Sequence, residues 1–372
     1  MKLPVAFTAV LLALASAAHA QTFKSSAGDL KVETVVGGLS HPWALAFLPD
    51  GSMLVTERPG RMRIATRDGK LSPPLQGVPK VAAYGQGGLH DVVLDRNFAQ
   101  NKTIYFCFAE PAGGGARTSM ARATLGDGSL DAIKVIYRQE GPLSSGNHYG
   151  CRIAQTADNN LFLTQGEHFT GRDEAQKLTS HLGKIVRIKP DGSVPDGNPF
   201  VGRKDALPEI WSYGHRNMQG AAIHPVTGKL WEHEHGPRGG DEVNIPLAGK
   251  NYGWPVISYG INYEGTPVGS GKSEMAGMEQ PIKYWVPSIA PSGMAFYTAD
   301  LFPAWKGSLF VGALAGQMLV RLSLDGEKVT GEERLLQGLR ERIRDVRVGP
   351  DGAIYLATDN SAGRILKVTP AK

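Results

Sequence analysis

Six segments of the chain repeat one plan, and this repetition limits the fold more than any single motif does. Each segment has an apolar strand, a turn with Asp, Asn or Gly, and a second apolar strand. They are LAFLPDGSMLVTE near Leu45, VVLDRNFAQNKTIYFCF near Val92, IAQTADNNLFLTQG near Ile153, AAIHPVTGKLWEHEHG near Ala221, MAFYTADLFPAWKGSLFVGAL near Met294 and VRVGPDGAIYLATD near Val346. Their spacings, roughly 47 to 73 residues, are close to or above a propeller blade length of about 40 to 50.

Further strand candidates follow several of the repeats: MRIATRD, GKIVRIKP, MLVRLSL and RILKVTP. Helical periodicity is nearly absent, and Pro-Asp-Gly and Asp-Gly are typical of hairpin turns. The sequence therefore predicts an all-β fold, a six-bladed β-propeller formed as a single domain by residues 21–372.

The N-terminus has the pattern of a targeting segment. Lys2 precedes an apolar run from Pro4 to Ala18, and Ala18-His19-Ala20 is a small-x-small cleavage pattern, so residues 1–20 are predicted to be a cleaved signal peptide. The run is too short to cross a bilayer, and no later segment is apolar for long enough. We expect a periplasmic protein with no membrane span.

Composition and charge exclude some classes of function. The 47 glycines and 24 prolines, with 41% hydrophobic residues, are typical of a folded chain rich in turns. The net charge is +5, but the basic residues are scattered, which argues against nucleic-acid binding. A mild positive field favours an anionic ligand. Without a coiled-coil pattern or a long apolar patch, we expect a monomer.

Two cysteines, Cys107 and Cys151, leave two alternatives open. An exported protein can form a disulfide between them. Two separate core thiols are the favoured alternative, because two cysteines alone do not fix the geometry that a disulfide needs. Their spacing does not indicate zinc.

The stretch from Ser212 to Pro255 concentrates polar residues in loops beside short strands. Its Gly-Pro-Arg-Gly-Gly run exposes backbone carbonyls, and Asp241, Glu242 and Tyr252 add oxygen ligands of the kind that Ca²⁺ prefers. Turn formation alone is the alternative. The nearby pair His233 and His235 could bind a transition metal, but packing and loop support are favoured because no further ligands are indicated.

Other polar residues share one position in the repeat. They come just before a recurring first strand, so they lie at the same end of their blades: Gln86, His148, Arg216, Asn217, Ser288, Arg342 and Arg344. Because loops at one end of a propeller converge on its axis, we expect one pocket there.

Longer strings carry a family resemblance: HPWALAFLPDG, GQGGLHDVVLD, SSGNHYG, IWSYGHRNMQG, EHGPRGGDEVNIP, GKNYGWP, VPSIAPSGMAFY and RIRDVRVGPDG. From about His41 through Lys367 the chain resembles the soluble PQQ-dependent aldose sugar dehydrogenases of the glucose/sorbosone dehydrogenase family, which are related to soluble quinoprotein glucose dehydrogenase.

The resemblance implies oxidation of an aldose at C1 to a lactone, with electrons passed on to an external acceptor. His148 would be the general base for the anomeric hydroxyl, and hydride would pass to PQQ with assistance from Arg216 and Ca²⁺. Arg342 and Arg344 would pair with PQQ carboxylates. The remaining cofactor contacts implied are Gln86, Asn217, Tyr263 and Ser288.

The same resemblance implies two calcium sites. The backbone carbonyls of Gly236 and Pro237 would bind the catalytic ion. Glu242 and Tyr252 would form a second, more structural site, with Asp241 as a weaker candidate.

Two departures from the glucose dehydrogenase branch are evident. Asn147 precedes His148 where that branch has an aspartate. A cofactor-binding lysine of the fifth-blade loop is missing, and Leu314 and Ala315 occupy that region. We expect PQQ binding to persist with lower affinity.

Two other classes remain open at this point. One is a calcium-dependent lactonase or esterase, which would leave the paired arginines without a role. The other is a non-catalytic propeller that binds a partner or a glycan. Fold alone does not choose among them.

Overall fold

The computed structural model describes residues 20–141 and 143–371. Apart from Ala20, the predicted signal peptide lies outside this part of the chain. Regular structure here consists of 24 strands, the four-residue helix α1 (Phe98–Asn101) and three 3₁₀ helices, Arg172–Gln176, Pro303–Trp305 and Gln337–Leu339. Within the described ranges, no helix is long and apolar enough to cross a membrane.

The strands form six antiparallel sheets that follow one another along the chain, and each sheet is one blade. Blade 1 consists of β3 (Pro42–Phe47), β4 (Met53–Glu57) and β5 (Arg61–Ala65). Blade 2 consists of β6 (Leu89–Leu94), β7 (Thr103–Ala112), β8 (Gly115–Leu125) and β9 (Leu130–Arg138). Blade 3 consists of β10 (Ile153–Gln155), β11 (Leu161–Gln165), β12 (Lys184–Ile188) and β13 (Ile210–Tyr213).

Blades 4 to 6 continue the same order. Blade 4 consists of β14 (Met218–Ile223), β15 (Leu230–Glu234), β16 (Asp241–Asn244) and β17 (Lys283–Trp285). Blade 5 consists of β18 (Pro291–Phe296), β19 (Leu309–Ala313), β20 (Met318–Asp325) and β21 (Lys328–Leu335). Blade 6 consists of β22 (Ile343–Val348), β23 (Ile354–Thr358) and β24 (Gly363–Pro370), joined by β2 (Leu30–Leu39) and β1 (Gln21–Phe23). The predicted six-bladed all-β propeller is confirmed.

The two ends of the chain close the ring. Strand β2 pairs with β24, so that Val32 lies opposite Val368 in the sheet of blade 6. An edge that is paired in this way offers no template for another chain.

Burial explains why each repeat has two apolar strands. The second strands β4, β11, β15, β19 and β23 are buried along their whole length, because both of their faces pack against neighbouring blades. One such core layer joins blades 1 and 2 through Trp43, Leu54 and Phe106. These layers hold the first strands around a common axis.

Four charges occupy that axis behind the loops. Arg152 bonds Asp345 at 2.9 Å and Asp91 at 3.3 Å, and Arg347 bonds the same two carboxylates at 2.9 and 2.8 Å. Arg152 also packs on the ring of Trp43, 4.1 Å from its centroid. Two cations and two anions balance here, so charge can stay buried. The network ties together blades 2, 3 and 6.

The preference for separate thiols was wrong. Cys107 in β7 and Cys151 before β10 form a disulfide with an S–S distance of 2.25 Å and a Cα–Cα distance of 5.9 Å. The pairing needs blades 2 and 3 to lie side by side, which a distance of 44 residues along the sequence could not reveal.

Candidate active site

A cavity of about 360 Å³ lies on the propeller axis, where first strands begin and second strands end. All six blades, or the loops that lead into them, contribute residues to its wall. The lining residues are Trp43, Arg58, Gly85, Gln86, His90, Tyr149, Gly150, Asn217, Gln219, His235, Ala290, Leu314, Arg342, Arg344 and Asp359. The expected convergence of loops is therefore seen.

Five residues predicted from the sequence line this cavity: Gln86, Asn217, Leu314, Arg342 and Arg344. Five other predicted catalytic or cofactor-binding residues lie outside the lining set: His148, Arg216, Tyr263, Ser288 and Ala315. His148 is directly behind the wall, Arg216 borders the neighbouring pocket, and Ala315 contributes no lining. The fifth blade offers the apolar Leu314 where the related branch has a lysine.

Positive charge dominates the wall. Arg344 donates to Gln219 Oε1 at 3.0 Å and to Asp359 Oδ2 at 3.1 Å, while its buried Nε has no partner. Burial lowers the pKa of Arg344 to about 10, so it stays charged at neutral pH. Burial acts to raise the pKa of Asp359, but Arg344, with Arg342 and His41, holds it below its usual range. The wall keeps unused donors for an anion.

An aromatic surface closes one side of the cavity. His90 stacks on Trp43 with ring centroids 4.9 Å apart, and Tyr149 meets His90 edge-on. Burial lowers the pKa of His90 to about 3, so the ring is neutral. Its Nε2 lies 3.0 Å from the Gln86 carbonyl, and its buried Nδ1 has no partner. These three rings are almost completely buried and form a rigid part of the wall.

His148 is held behind Gln86 with one ring nitrogen fixed. Its backbone N–H donates to Gln86 Oε1 at 2.9 Å, and its Nδ1 lies 3.0 Å from Glu167 Oε2. Burial lowers the pKa of His148, an effect that Glu167 opposes and Arg216 reinforces. A neutral ring that donates from Nδ1 leaves a lone pair on Nε2, for which the described residues supply no hydrogen bond. This nitrogen suits a general base.

Sequence reasoning missed Glu167, the carboxylate that pairs with His148. Glu167 comes from the loop after β11, whereas Asn147 is exposed and its backbone N–H donates to Ser145 Oγ at 3.3 Å. The repeat pattern of the sequence did contain a signal for such a residue. The residues that follow each second strand reach the same end as those that precede each first strand, because the two strands are antiparallel. Residues of this kind are Arg58, Glu167, His235, Leu314 and Asp359.

Arg216 lies beside the cavity in an aromatic and carbonyl environment. Its Nη1 donates to the Gly236 carbonyl at 2.7 Å, and its Nη2 lies 3.4 Å from the Tyr263 hydroxyl. The guanidinium packs on Trp254, 5.1 Å from the ring centroid. Within the described ranges no carboxylate forms a salt bridge with it, so its charge is available to a ligand.

Asp241 organises the glycine-rich loop instead of pointing into a pocket. Its Oδ1 accepts the Gly236 N–H at 2.9 Å, and its Oδ2 accepts the Ser288 hydroxyl at 2.6 Å and the backbone N–H groups of Ile289 and Ala290. Both oxygens are thus occupied. Ser288 donates its hydroxyl to this carboxylate and not to the cavity.

A second, much smaller pocket of about 20 Å³ lies next to Arg216. Its lining includes Glu234, Glu242, Gly236 and Tyr252. This volume holds about one water molecule or ion. The Tyr252 hydroxyl is bonded to the Ile245 carbonyl and the Leu247 N–H, so only the Tyr252 carbonyl is free to face a ligand.

Three carboxylates converge behind this pocket. The amide nitrogen of Asn244 lies 3.0, 3.4 and 3.3 Å from Glu232, Glu234 and Glu242. Glu232 Oε2 and Asn244 Oδ1 are buried without a partner. Burial, together with Glu234, raises the pKa of Glu232 and of Glu242 well above the usual range. Such a concentration of buried oxygen ligands favours a cation.

Two further histidines nearby are used in packing. His233 Nε2 lies 3.3 Å from the Gly293 carbonyl, and His235 Nε2 lies 2.7 Å from the Pro291 carbonyl. Within the described part of the chain, the grouped candidate metal ligands are His215, Glu232 and Glu234. His215 already bonds Ser212 and Glu234.

The structure is thus a six-bladed propeller with an arginine-lined cavity on its axis. A buried histidine–carboxylate pair lies beside this cavity. The profile of the Glucose / Sorbosone dehydrogenase family matches residues 39–367. The chain is 46% identical to the aldose sugar dehydrogenase YliI of Escherichia coli K12 over 98% of each chain.

Solved structures of dehydrogenases have the same fold as this chain. A glucose dehydrogenase crystal structure has a TM-score of 0.89 at 51% identity, covering 92% of this chain and 99% of the other. The PQQ-bound aldose sugar dehydrogenase of Streptomyces coelicolor has a TM-score of 0.76 at 30% identity, covering 91% and 98%. The chain belongs to the glucose/sorbosone dehydrogenase family.

Proposed function

We propose that this protein is a periplasmic, PQQ-dependent aldose sugar dehydrogenase that oxidises the C1 hydroxyl of an aldose to the lactone. The observation that carries the proposal is the buried pair of His148 and Glu167, bonded through Gln86 to the wall of an arginine-lined cavity. A relative named as an aldose sugar dehydrogenase and another solved with PQQ bound support it.

The cavity fits PQQ in charge and size. PQQ carries three carboxylates, and Arg58, Arg342 and Arg344 offer three guanidinium groups. The free Nε of Arg344 and the free Nδ1 of His90 are unused polar atoms. A volume of about 360 Å³ lies within the usual range of cofactor sites. When bound, PQQ supplies the acceptor for the hydride from C1.

The residues of the chain handle the proton and the charge. His148 Nε2 takes the proton of the C1 hydroxyl, and Glu167 stabilises the imidazolium that results. Arg216 provides positive charge where negative charge develops in the transition state. Gln86 positions His148 through the backbone, and Asn217, whose Oδ1 accepts the Gly150 N–H at 3.1 Å, holds the histidine loop.

Calcium fits two places near Arg216. The carbonyls of Gly236 and Pro237 would hold one ion. The Gly236 carbonyl would be shared with Arg216 Nη1, which donates to it at 2.7 Å, whereas the Pro237 carbonyl accepts no hydrogen bond from the described residues. Glu242 and the Tyr252 carbonyl would hold a second ion, with Glu234 as an additional ligand from the same small pocket. Asp241 remains the weaker candidate ligand, because its oxygens already accept a loop N–H group and the Ser288 hydroxyl. Bound Ca²⁺ supplies positive charge beside the cofactor site.

Replacement of the proposed base tests this function. His148→Ala should reduce turnover of any aldose to a few per cent or less while PQQ still binds, because the arginines that hold the cofactor remain. The matched control is His224→Ala, since His224 lies in the turn between β14 and β15, at the opposite end of its blade. Turnover by His148→Ala close to the wild-type rate would remove His148 from the role of base.

A further inference from the structure

Phe169 combines two properties that a purely structural phenylalanine rarely has. Its side chain is 46% exposed, although the residues before it from Leu161 to His168 are buried. Its φ is +63°, and that of His168 is +57°, a backbone region that is costly for bulky residues. Strained backbone of this kind clusters at functional sites, where the surroundings hold it in place.

The same carboxylate holds both Phe169 and the proposed base. The Phe169 N–H and His148 Nδ1 share the Oε2 atom of Glu167 as their partner. The phenyl ring meets the imidazole edge-on, with centroids 5.4 Å apart and planes at 83°. The ring therefore keeps a fixed position relative to His148, and the exposed part of its surface faces solvent beside the base.

Contacts with a second loop fix the loop that carries Phe169. Three residues further on, Arg172 donates to Asn262 Oδ1 at 3.2 Å and packs on Trp254, 5.0 Å from the ring centroid. Asn262 precedes Tyr263, which is 59% exposed and contacts Arg216. Two exposed aromatic rings thus belong to one linked rim: Phe169 contacts the proposed base, and the other ring contacts Arg216.

We propose that Phe169 is the substrate platform and a specificity-determining residue for the dehydrogenase function proposed above. The C–H face of a sugar ring would cover the exposed phenyl surface, which removes apolar area from water and directs the C1 hydroxyl to His148 Nε2. This role selects aldopyranoses whose hydroxyls are mainly equatorial, because such rings present a continuous apolar face. Aldoses too short to form a ring present a C1 hydroxyl only as the aldehyde hydrate, which is oxidised to the acid, and they gain nothing from the platform.

The test compares sugars that have a ring with one that has none. Wild-type holoenzyme, Phe169→Ala and Phe169→Trp are assayed for kcat and KM with glucose, with galactose and with glyceraldehyde. With glucose, Phe169→Ala should raise KM about tenfold or more and change kcat by a smaller factor. With glyceraldehyde, the same variant should change kcat/KM less than twofold. Phe169→Trp should restore the KM for glucose. Tyr284→Ala is the control, since this exposed ring stacks on Tyr259 away from the cavity.

The outcomes separate the possible failures. Equal losses for glucose and glyceraldehyde, or an unchanged KM for glucose, overturn the platform. A weaker PQQ affinity in Phe169→Ala also overturns it, because the ring would then serve the cofactor. If the wild-type protein oxidises no aldose, the proposed function has failed and not the platform alone.

Discussion

Glu167 should control both the rate of proton transfer and the pH at which it occurs. Its carboxylate lies 3.0 Å from His148 Nδ1, and both side chains are almost completely buried. Glu167→Gln keeps a hydrogen-bond acceptor of the same shape but removes the negative charge that stabilises an imidazolium. The substitution therefore tests the charge and not the packing.

The expected loss follows from the kind of bond that is weakened. A buried hydrogen bond to a charged group contributes about 1.5–3 kcal/mol. At 1.36 kcal/mol for each factor of ten, kcat/KM should fall by about 10- to 150-fold. Because the imidazolium forms only as the proton moves, kcat should fall by the same factor and KM should change little.

The pH profile gives a second readout with a defined sign. His148 acts as a base only when neutral, so activity rises as the pH rises through its pKa. Burial places this pKa below the ordinary value of 6.5, and Glu167 acts to raise it. Glu167→Gln removes the raising effect, so the acidic limb of kcat/KM should move to lower pH.

The assay is dye-linked aldose oxidation by PQQ-loaded protein across the pH range. Glu209→Gln is the matched control, because Glu209 bonds His181 at 2.8 Å in a comparable pair away from the cavity. An acidic limb of kcat/KM that stays in place or moves to higher pH in Glu167→Gln would refute the proposed role of the Glu167 charge. A loss of kcat/KM below twofold would also refute it.

Three further predictions concern the cofactor, the cation and the fold. Arg344→Gln should raise the Kd for PQQ by about 10- to 150-fold in a fluorescence titration, since one charged hydrogen-bonding group is lost; an unchanged Kd would contradict the assigned cavity. Ca²⁺ at about 100 times its Kd should stabilise the PQQ-free protein by about 2.7 kcal/mol, seen as a higher Tm, and Glu242→Gln should abolish this shift; an equal shift in the variant would place the ion elsewhere. Replacing Cys107 and Cys151 together by Ser should reduce the free energy of unfolding by about 4 kcal/mol for the chain between them, measured by urea denaturation; an unchanged midpoint would mean that the bond does not form.

The fold could be predicted from local patterns because propeller blades are built from neighbouring segments. Apolar strands around a turn, such as those near Leu45 and Val346, correspond directly to first and second strands. The closure of the ring by β2 and β24 gave no local signal, since Val32 and Val368 lie at opposite ends of the chain. The disulfide was missed for the same reason: only the packing of blade against blade brings its cysteines together.

The candidate site was predicted in part. Gln86 and Arg342, which precede first strands, were placed at the correct end of the blades. Arg58, Glu167 and Asp359, which follow second strands, were not considered, although antiparallel geometry brings them to the same end. Asp241 was interpreted as a metal ligand from its chemistry alone. The structure shows that its oxygens are occupied by loop N–H groups and a hydroxyl.

The most direct test of the account is dye-linked aldose oxidation by purified protein free of cofactor, with and without PQQ and Ca²⁺. Activity is expected only when both are present, with lactone as the product and a PQQ absorption change on addition of the sugar. Aldose oxidation without PQQ would contradict it. So would the absence of PQQ binding in a protein that hydrolyses lactones, which would support the hydrolase alternative.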